Sequence, residues 1–321
     1  MNPLPTRIGI GLAAVARPAY ITSGRVTDLG DHRSVDDLRE RTWSVLDAAY
    51  RAGVRYIDVA RSYGRAEEFL TGWLAARPDA TDVRIGSKWG YRYVGEWHVE
   101  ADVHEVKDHS VEAFIEQVAQ SLALLGPRLE RYHIHSATPE TGVLDNPAVL
   151  RALAGLRERG IRVGLSTSGP AQAATVRQAI GIDVDGVPLF TSVQSTWNVL
   201  ETSAGPALAE AAAAGAEVIV KEPVANGRLA PGGAAPDDHR AARVAALAAD
   251  LAVPVDQLAI AAALAQPWTW CVLSGGVDPA QVHSNASATA VTVPADVLGE
   301  LADLSEAPRD YWAARSARAW T

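Results

Sequence analysis

Eight short apolar segments recur along the chain, most of them ending in a polar residue. Between them lie stretches whose apolar residues repeat at three- and four-residue spacing. The segments are RIGIGL from residue 7, VRYIDV from 54, VRIGSK from 83, RYHIHS from 131, IRVGLS from 161, TSVQST from 191, EVIVKE from 217 and WCVLSG from 270. Short apolar runs with polar ends read as buried strands, and the spacing between them reads as amphipathic helix. RTWSVLDAAYRAG from 41 closes with Gly53, AVLRALAGLRERG from 148 with Gly160, and PALAEAAAAG from 206 with Gly215. A glycine in that place suits the left-handed residue that ends a helix. Eight strand–helix pairs in 321 residues fit a closed barrel better than an open sheet, because each helix returns the chain to begin another parallel strand. The expected class is α/β, a (β/α)8 TIM barrel forming a single domain over residues 1–321, with long loops at its C-terminal face.

Two insertions interrupt the alternation, residues 15–40 and residues 90–110, and both follow a strand. Loops after barrel strands sit on the face that carries chemistry, so both are candidate pocket walls, with surface decoration as the alternative. The Gly-, Pro- and Asp-rich NGRLAPGGAAPDDHR from 226 reads as a loop or lid after the seventh strand, and the tail RDYWAARSARAW packs either beside the pocket or on the barrel wall. The glycines of GIGLAA from 9 have dinucleotide-turn spacing, but Pro18, Gly24 and Gly30 follow before any helical period, which excludes the doubly wound fingerprint. HVEADVHEVKDH from 98 holds three histidines at spacings that match no compact ligand set, so no metal is expected.

Composition narrows the function. A formal charge of −9 disfavours a nucleic-acid track, which needs clustered Lys and Arg. One cysteine, Cys271, cannot form an intramolecular disulfide. The N-terminus lacks the pattern of a signal peptide and no apolar run reaches the length of a membrane span. The expectation is a cytoplasmic protein whose partner is a small molecule rather than nucleic acid or membrane.

In a barrel the polar residues ending the strands converge on one mouth. Here they are Asp58, Lys88, His135, Ser166, Gln194, Lys221 with Glu222, and Gly275, and Tyr63 follows Asp58 by five positions. An ionised aspartate beside a lysine fixes it in place, and the lysine is expected to stabilise a tyrosinate and lower the phenol from its usual value of about 10. A histidine facing the same point orients a carbonyl oxygen while negative charge develops on it. Carbonyl reduction is the chemistry that fits.

These residues resemble a family. YIDVARSYGRAEEFL is similar to the aldo-keto reductase signature, SKWG to its Ser/Thr-Lys strand end, and ERYHIHSATPE to its strand ending in the active-site histidine. The resemblance implies Asp58 as support, Tyr63 as general acid or base, Lys88 as its partner and His135 as orienter. RERGIRVGLSTSG and SVQSTWN resemble the segments that hold a nicotinamide amide, which implies roles for Ser166, Thr167 and Gln194. LSGGVDPAQVHSN resembles the final loop and helix start that bind the adenosine phosphate end, implying Gly275, Gln281 and Asn285, while Lys221, Glu222, Val224 and Gly227 complete the implied cofactor set. The similarity spans nearly the whole chain. It implies an NAD(P)H-dependent enzyme that reduces an aldehyde or ketone to an alcohol, or the reverse, with NADP(H) favoured over NAD(H).

Three departures stand beside it. Thr167 replaces the usual Asn, and KEP puts Lys221 where a ring normally stacks on the nicotinamide. The last helix start offers Gly275, Val277, Asp278 and Gln281 without a Lys or Arg for a 2′-phosphate, leaving Arg228, Arg240 or Arg243 to compensate. Trp89, Trp97 and Trp197, with Tyr91 and Tyr93, are expected to wall the substrate pocket. Two other functions stay open: a regulatory barrel that binds cofactor without useful turnover, and a lyase using Lys88 or Lys221 as a Schiff-base amine. The sequence does not set the oligomeric state.

Overall fold

A strand sends alternate side chains to opposite faces, and in this chain one set fills a barrel while the other packs under helices. The computed structural model describes residues 4–21, 28–30 and 32–321. Its principal strands are β1 (Ile8–Gly11), β2 (Tyr56–Asp58), β3 (Arg84–Trp89), β4 (Leu129–Ala137), β5 (Arg162–Thr167), β6 (Ser192–Thr196), β7 (Glu217–Lys221) and β8 (Cys271–Ser274). All pair in parallel, each with its sequence neighbour, and β1 closes the ring against β8. This is the expected (β/α)8 barrel, and its strands fall on the eight apolar segments.

The helices are α1 (Val35–Arg51), α2 (Ala66–Ala76), α3 (Val111–Leu125), α4 (Pro147–Ala154), α5 (Gln172–Ile180), α6 (Gly205–Ala213), α7 (His239–Asp250), α8 (Val255–Leu264), α9 (Pro279–Ser287), α10 (Ala295–Ala302) and α11 (Pro308–Ser316). Local chemistry starts several of them. Ser34 and Asp37 form a reciprocal capping box on α1, Ser110 caps α3, and Asn146 caps α4 just ahead of Pro147. The expected helix from 148 to Gly160 stops early: α4 ends at Ala154, and a 3₁₀ turn at Arg157–Arg159 carries the chain to Gly160. Gly155, a poor helix former, lies at the break. No single helix among the described residues is long and apolar enough to cross a membrane; only the pair α7 and α8, bent by 90°, passes that test together.

Inside the barrel, glycines on odd strands leave room for large side chains from their neighbours. A Cβ on Gly9 would lie 2.9 Å from Tyr56 and Leu273, one on Gly86 would strike the Tyr56 hydroxyl, and one on Gly164 would strike the His133 ring. Such sharing by alternate strands is how a small barrel becomes a packed core. The floor is ionic. Arg131 Nε donates to Glu217 Oε2 at 2.8 Å with its guanidinium 4.5 Å from the Trp270 ring, and Arg162 stands 3.3 Å from the other Glu217 oxygen. The chemistry-bearing residues therefore lie at the opposite end of the strands.

Candidate active site

Parity decides which side chains reach the mouth. Tyr56 and Asp58 share the inner face of β2, Lys88 follows Gly86 on β3, and His133 and His135 follow Arg131 on β4. Lys88, fully buried, donates from Nζ to Asp58 Oδ2 at 2.5 Å and to the Val59 carbonyl at 2.9 Å. Gln194 Nε2 donates to the other Asp58 oxygen at 2.8 Å. The carboxylate is thus held from both sides, and the ammonium sits 4.8 Å from the centre of the Tyr63 ring.

Tyr63 stands edge-on to His135 with ring centres 5.4 Å apart, and Tyr91 meets His135 edge-on at 4.9 Å. His135 lies where the β4–β5 register shifts, next to Ser136 at φ 52°. A bulge of this kind re-aims a side chain at the rim of a barrel. His135 Nδ1 is 3.4 Å from Ser62 Oγ, and its backbone carbonyl accepts from His109 Nε2 at 2.9 Å. His133 instead bonds Ser192 Oγ at 2.8 Å within the barrel, the packing role its place below the strand end suggests.

Burial sets the protonation states. It pushes the His135 imidazole well below its usual range, helped by the charges of Lys88, Arg17 and Lys221, so the ring is neutral at neutral pH. It pushes the Tyr63 phenol well above 10, with Asp58 adding in the same direction. The expected acidification by Lys88 is therefore corrected: the Lys88 charge is spent on Asp58, and desolvation dominates. Lys88 itself is lowered by burial against the opposing pull of Asp58. Tyr63 in this setting is a proton donor that keeps its proton.

Asp58, Tyr63 and His135 all line one cavity of about 560 Å³ at the mouth. Of the expected cofactor residues, Gln194, Lys221, Glu222, Val224, Gly227, Gly275, Gln281 and Asn285 line it as well. Ser166 and Thr167 do not. Ser166 Oγ accepts from the Ser136 amide at 2.8 Å, and Thr167 faces the helices, 2.6 Å from Ser195 Oγ and 3.4 Å from Gln172 Oε1. Ser168 lines the cavity instead. Lys221 donates from Nζ to Thr196 Oγ1 at 2.7 Å, and burial lowers its amine to about 8. Glu222, in the left-handed region at φ 56°, is clamped by Arg315, whose Nε lies 3.1 Å from both carboxylate oxygens, and Arg315 and Lys221 hold it well below the usual carboxylate range.

The three tryptophans expected in the substrate wall are elsewhere. Trp89 follows Lys88, so it points outward and packs against Phe114 of α3 and His109. Trp97 packs edge-on to Phe69 of α2 and donates to the Arg33 carbonyl, and Trp197 packs on Trp268. The aromatic wall is built from Tyr20, Tyr63, Tyr91 and Trp320. Arg17, which sequence reading passed over, joins it: Nη1 meets Glu105 at 2.8 Å, and the guanidinium lies within 5.0 Å of the ring centres of Tyr20, Tyr63 and Trp320. The two insertions, the 226–233 loop and the tail all contribute lining residues. Arg228 and Arg243 are spent on Asp238 with Glu306 and on Glu300, away from the cavity. Of the histidine-rich segment, His104 stacks on Trp320 with ring centres 4.5 Å apart, and among the described residues no group of His, Cys, Asp and Glu is arranged for a metal.

Residues 27–306 match the model of the Aldo/keto reductase family. The chain is 28% identical over 295 residues to a D-threo-aldose 1-dehydrogenase of Pseudomonas sp, covering 82% of this chain and 88% of that protein. Among solved structures it resembles the glycerol dehydrogenase AKR11B4 from Gluconobacter oxydans (TM-score 0.71, 20% identity, 93% of this chain and 90% of that one). It also resembles the aldo-keto reductase AKR11C1 from Bacillus halodurans (TM-score 0.67, 18% identity, 94% and 92%). At those identities the two structures speak to the fold.

Proposed function

Because the chain belongs to the aldo/keto reductase family, and so carries out carbonyl oxidoreduction on small molecules, we propose that it is a nicotinamide-dinucleotide-dependent enzyme interconverting an aldehyde or ketone with its alcohol, with Tyr63 as the general acid or base. The observation that carries this is the cluster at the cavity: a buried Lys88 fixed between Asp58 and the Val59 carbonyl, with the Tyr63 ring beside both that ammonium and His135. When bound, the dinucleotide supplies or accepts the hydride. The residues lining the cavity from Lys221 to Asn285 suit its extended shape, and Asp256 Oδ1, buried there without a partner, has hydrogen-bonding capacity to spare.

The work of the chain's own residues follows from their protonation. Tyr63, kept protonated by burial, donates to the carbonyl oxygen in the reductive direction. Neutral His135 orients the same oxygen, and the Lys88–Asp58 pair is a fixed dipole beside the Tyr63 ring that holds the site's geometry as the oxygen becomes negative. Arg17 adds a second cation 5.0 Å from the centre of the Tyr63 ring. The polar lining of Gln194, Lys221 and Glu222 beside the tyrosine wall suits a hydroxylated carbonyl compound, and the name of the Pseudomonas relative supports testing aldoses first. The single thiol, Cys271, is buried and suits a reducing compartment, in keeping with a cytoplasmic protein.

The test is Tyr63→Phe. Turnover on a panel of aldoses, aldehydes and ketones should fall by about 10²- to 10⁴-fold while dinucleotide affinity changes less than about threefold. Unchanged turnover would refute the assignment. Lys221 supports a second reading, since an amine lowered to about 8 in a cavity can form a Schiff base. Borohydride reduction that fixes a carbonyl substrate to Lys221, read by mass spectrometry, distinguishes this from hydride transfer. Lys88, locked on a carboxylate, is the poorer nucleophile.

A further inference from the structure

Where β8 passes into α9 the cavity changes character. Its wall there is the start of α9, with Gly275, Gly276, Gln281 and Asn285, joined by Asp28 and by Asp256 at the start of α8. A helix start normally offers free N–H groups to an anion. This one uses them internally. The Gly276 amide donates to Ser274 Oγ at 3.2 Å and the Val277 amide to Gln281 Oε1 at 3.0 Å. The Ala280 and Gln281 amides donate to Asp278 Oδ1 at 2.7 and 2.9 Å, and the Val282 amide donates to the Asp278 carbonyl at 3.1 Å.

Side-chain charge points the same way. Among the described lining residues the cations are Arg17, Lys221 and Arg315, held respectively on Glu105, Thr196 and Glu222. The α9 end has carboxylates instead. Asp28 Oδ2 accepts from Gln281 Nε2 at 3.2 Å, and Asp256 accepts from Ser284 Oγ at 2.7 Å on one oxygen while the other is buried without a partner. A buried acceptor left unmet is costly until a donor arrives.

We propose that this end of the cavity is a seat for an unphosphorylated adenosine ribose, with Asp256 and Asp28 as the discriminating residues, so that the protein binds NAD(H) in preference to NADP(H). The proposal rests on the dinucleotide reading above and reverses the preference for NADP(H) that the sequence resemblance favoured. Ribose hydroxyls bring donors to carboxylates, which is how dinucleotide sites of another fold select the unphosphorylated ribose. A 2′-phosphate brings no donor and sets its charge against two acids, where the Gly276, Val277, Ala280, Gln281 and Val282 amides are already engaged.

The test is fluorescence titration of the purified protein with NADH and with NADPH, following nicotinamide emission. NADH is expected to bind about tenfold more tightly or better, since like charges meeting at an interface are strongly disfavoured. Asp256→Asn removes one charge and Gln281→Arg adds a cation at the helix start; each should narrow the ratio about tenfold, with melting curves confirming that the variants are folded. Equal or tighter binding of NADPH by the natural protein would overturn the proposal and leave the dinucleotide reading standing. An unchanged ratio in both folded variants would also overturn it. Binding of neither dinucleotide would remove both.

Discussion

Lys88 and Asp58 are both buried, and neither is tolerable alone. Removing one partner of a buried pair strands the other charge and costs about 3–5 kcal/mol, whereas replacing both by apolar groups is far milder. Asp58→Leu and Lys88→Met are each expected to lower stability in urea by about that amount, and the double variant by less than either. Lys221 behaves differently because its carboxylate neighbour, Glu222, stands 4.0 Å away and is engaged more closely by Arg315. Its amine is lowered from 10.5 to about 8. The unfolded chain therefore binds more protons than the folded one between those values, and stability rises with pH across that window. Lys221→Met should be the more stable protein at pH 7, and its advantage should shrink by about 1–3 kcal/mol between pH 8 and 10.5, read from urea unfolding at the two ends. The candidates Asp58, Lys88 and His135 are legible in the sequence because a place near a strand end is a local property, and Tyr63 because it follows Asp58 in the short turn after β2. Arg17 was not, because it lies in a loop and its meaning comes from Glu105, Tyr63 and Trp320, far away in the chain.

At the scale of elements, the glycines of the barrel strands are there for space. A Cβ on Gly164 would lie 2.6 Å from the Ser192 carbonyl as well as against the His133 ring, and a backbone carbonyl within a paired strand cannot step aside. Gly164→Ala is expected to cost about 3 kcal/mol, the upper end for overpacking. Gly299 of α10 has nothing within 4 Å of such a Cβ, so Gly299→Ala should stabilise by about 0.4–1 kcal/mol by narrowing the unfolded ensemble. Thermal melts of the two variants should move in opposite directions. The strands are legible as apolar runs with polar ends, but alternation along each strand limits which of their residues can face inward. Lys88 facing in forces Trp89 out, and Ser166 facing in forces Thr167 out, so within a strand a place beside an inward residue does not bring a side chain to the cavity.

At the scale of the molecule, the barrel and its mouth are held by different interactions. The barrel follows from local periodicity repeated eight times, which is why it could be read from the chain. The mouth is joined by contacts between three distant segments. Thr321 and Tyr20 exchange backbone hydrogen bonds of 3.1 Å in both directions, the Trp320 ring stacks on His104 and meets Tyr20 edge-on at 6.1 Å, and Arg17 lies 4.9 Å over it. No periodicity announces such a join. Trp320→Ala removes two ring contacts worth about 0.5–1.5 kcal/mol each and a cation–π contact worth about 0.5–1, all within the wall. Tyr63, Lys88 and His135 keep their places, because strands β2 to β4 and the short turn after β2 fix them. The expected outcome is a rise in KM of about tenfold with kcat within about threefold, and a melting temperature within about 2–4 °C of the natural protein. A matching collapse of kcat would mean that the tail positions the reacting groups and does more than close the wall around the substrate.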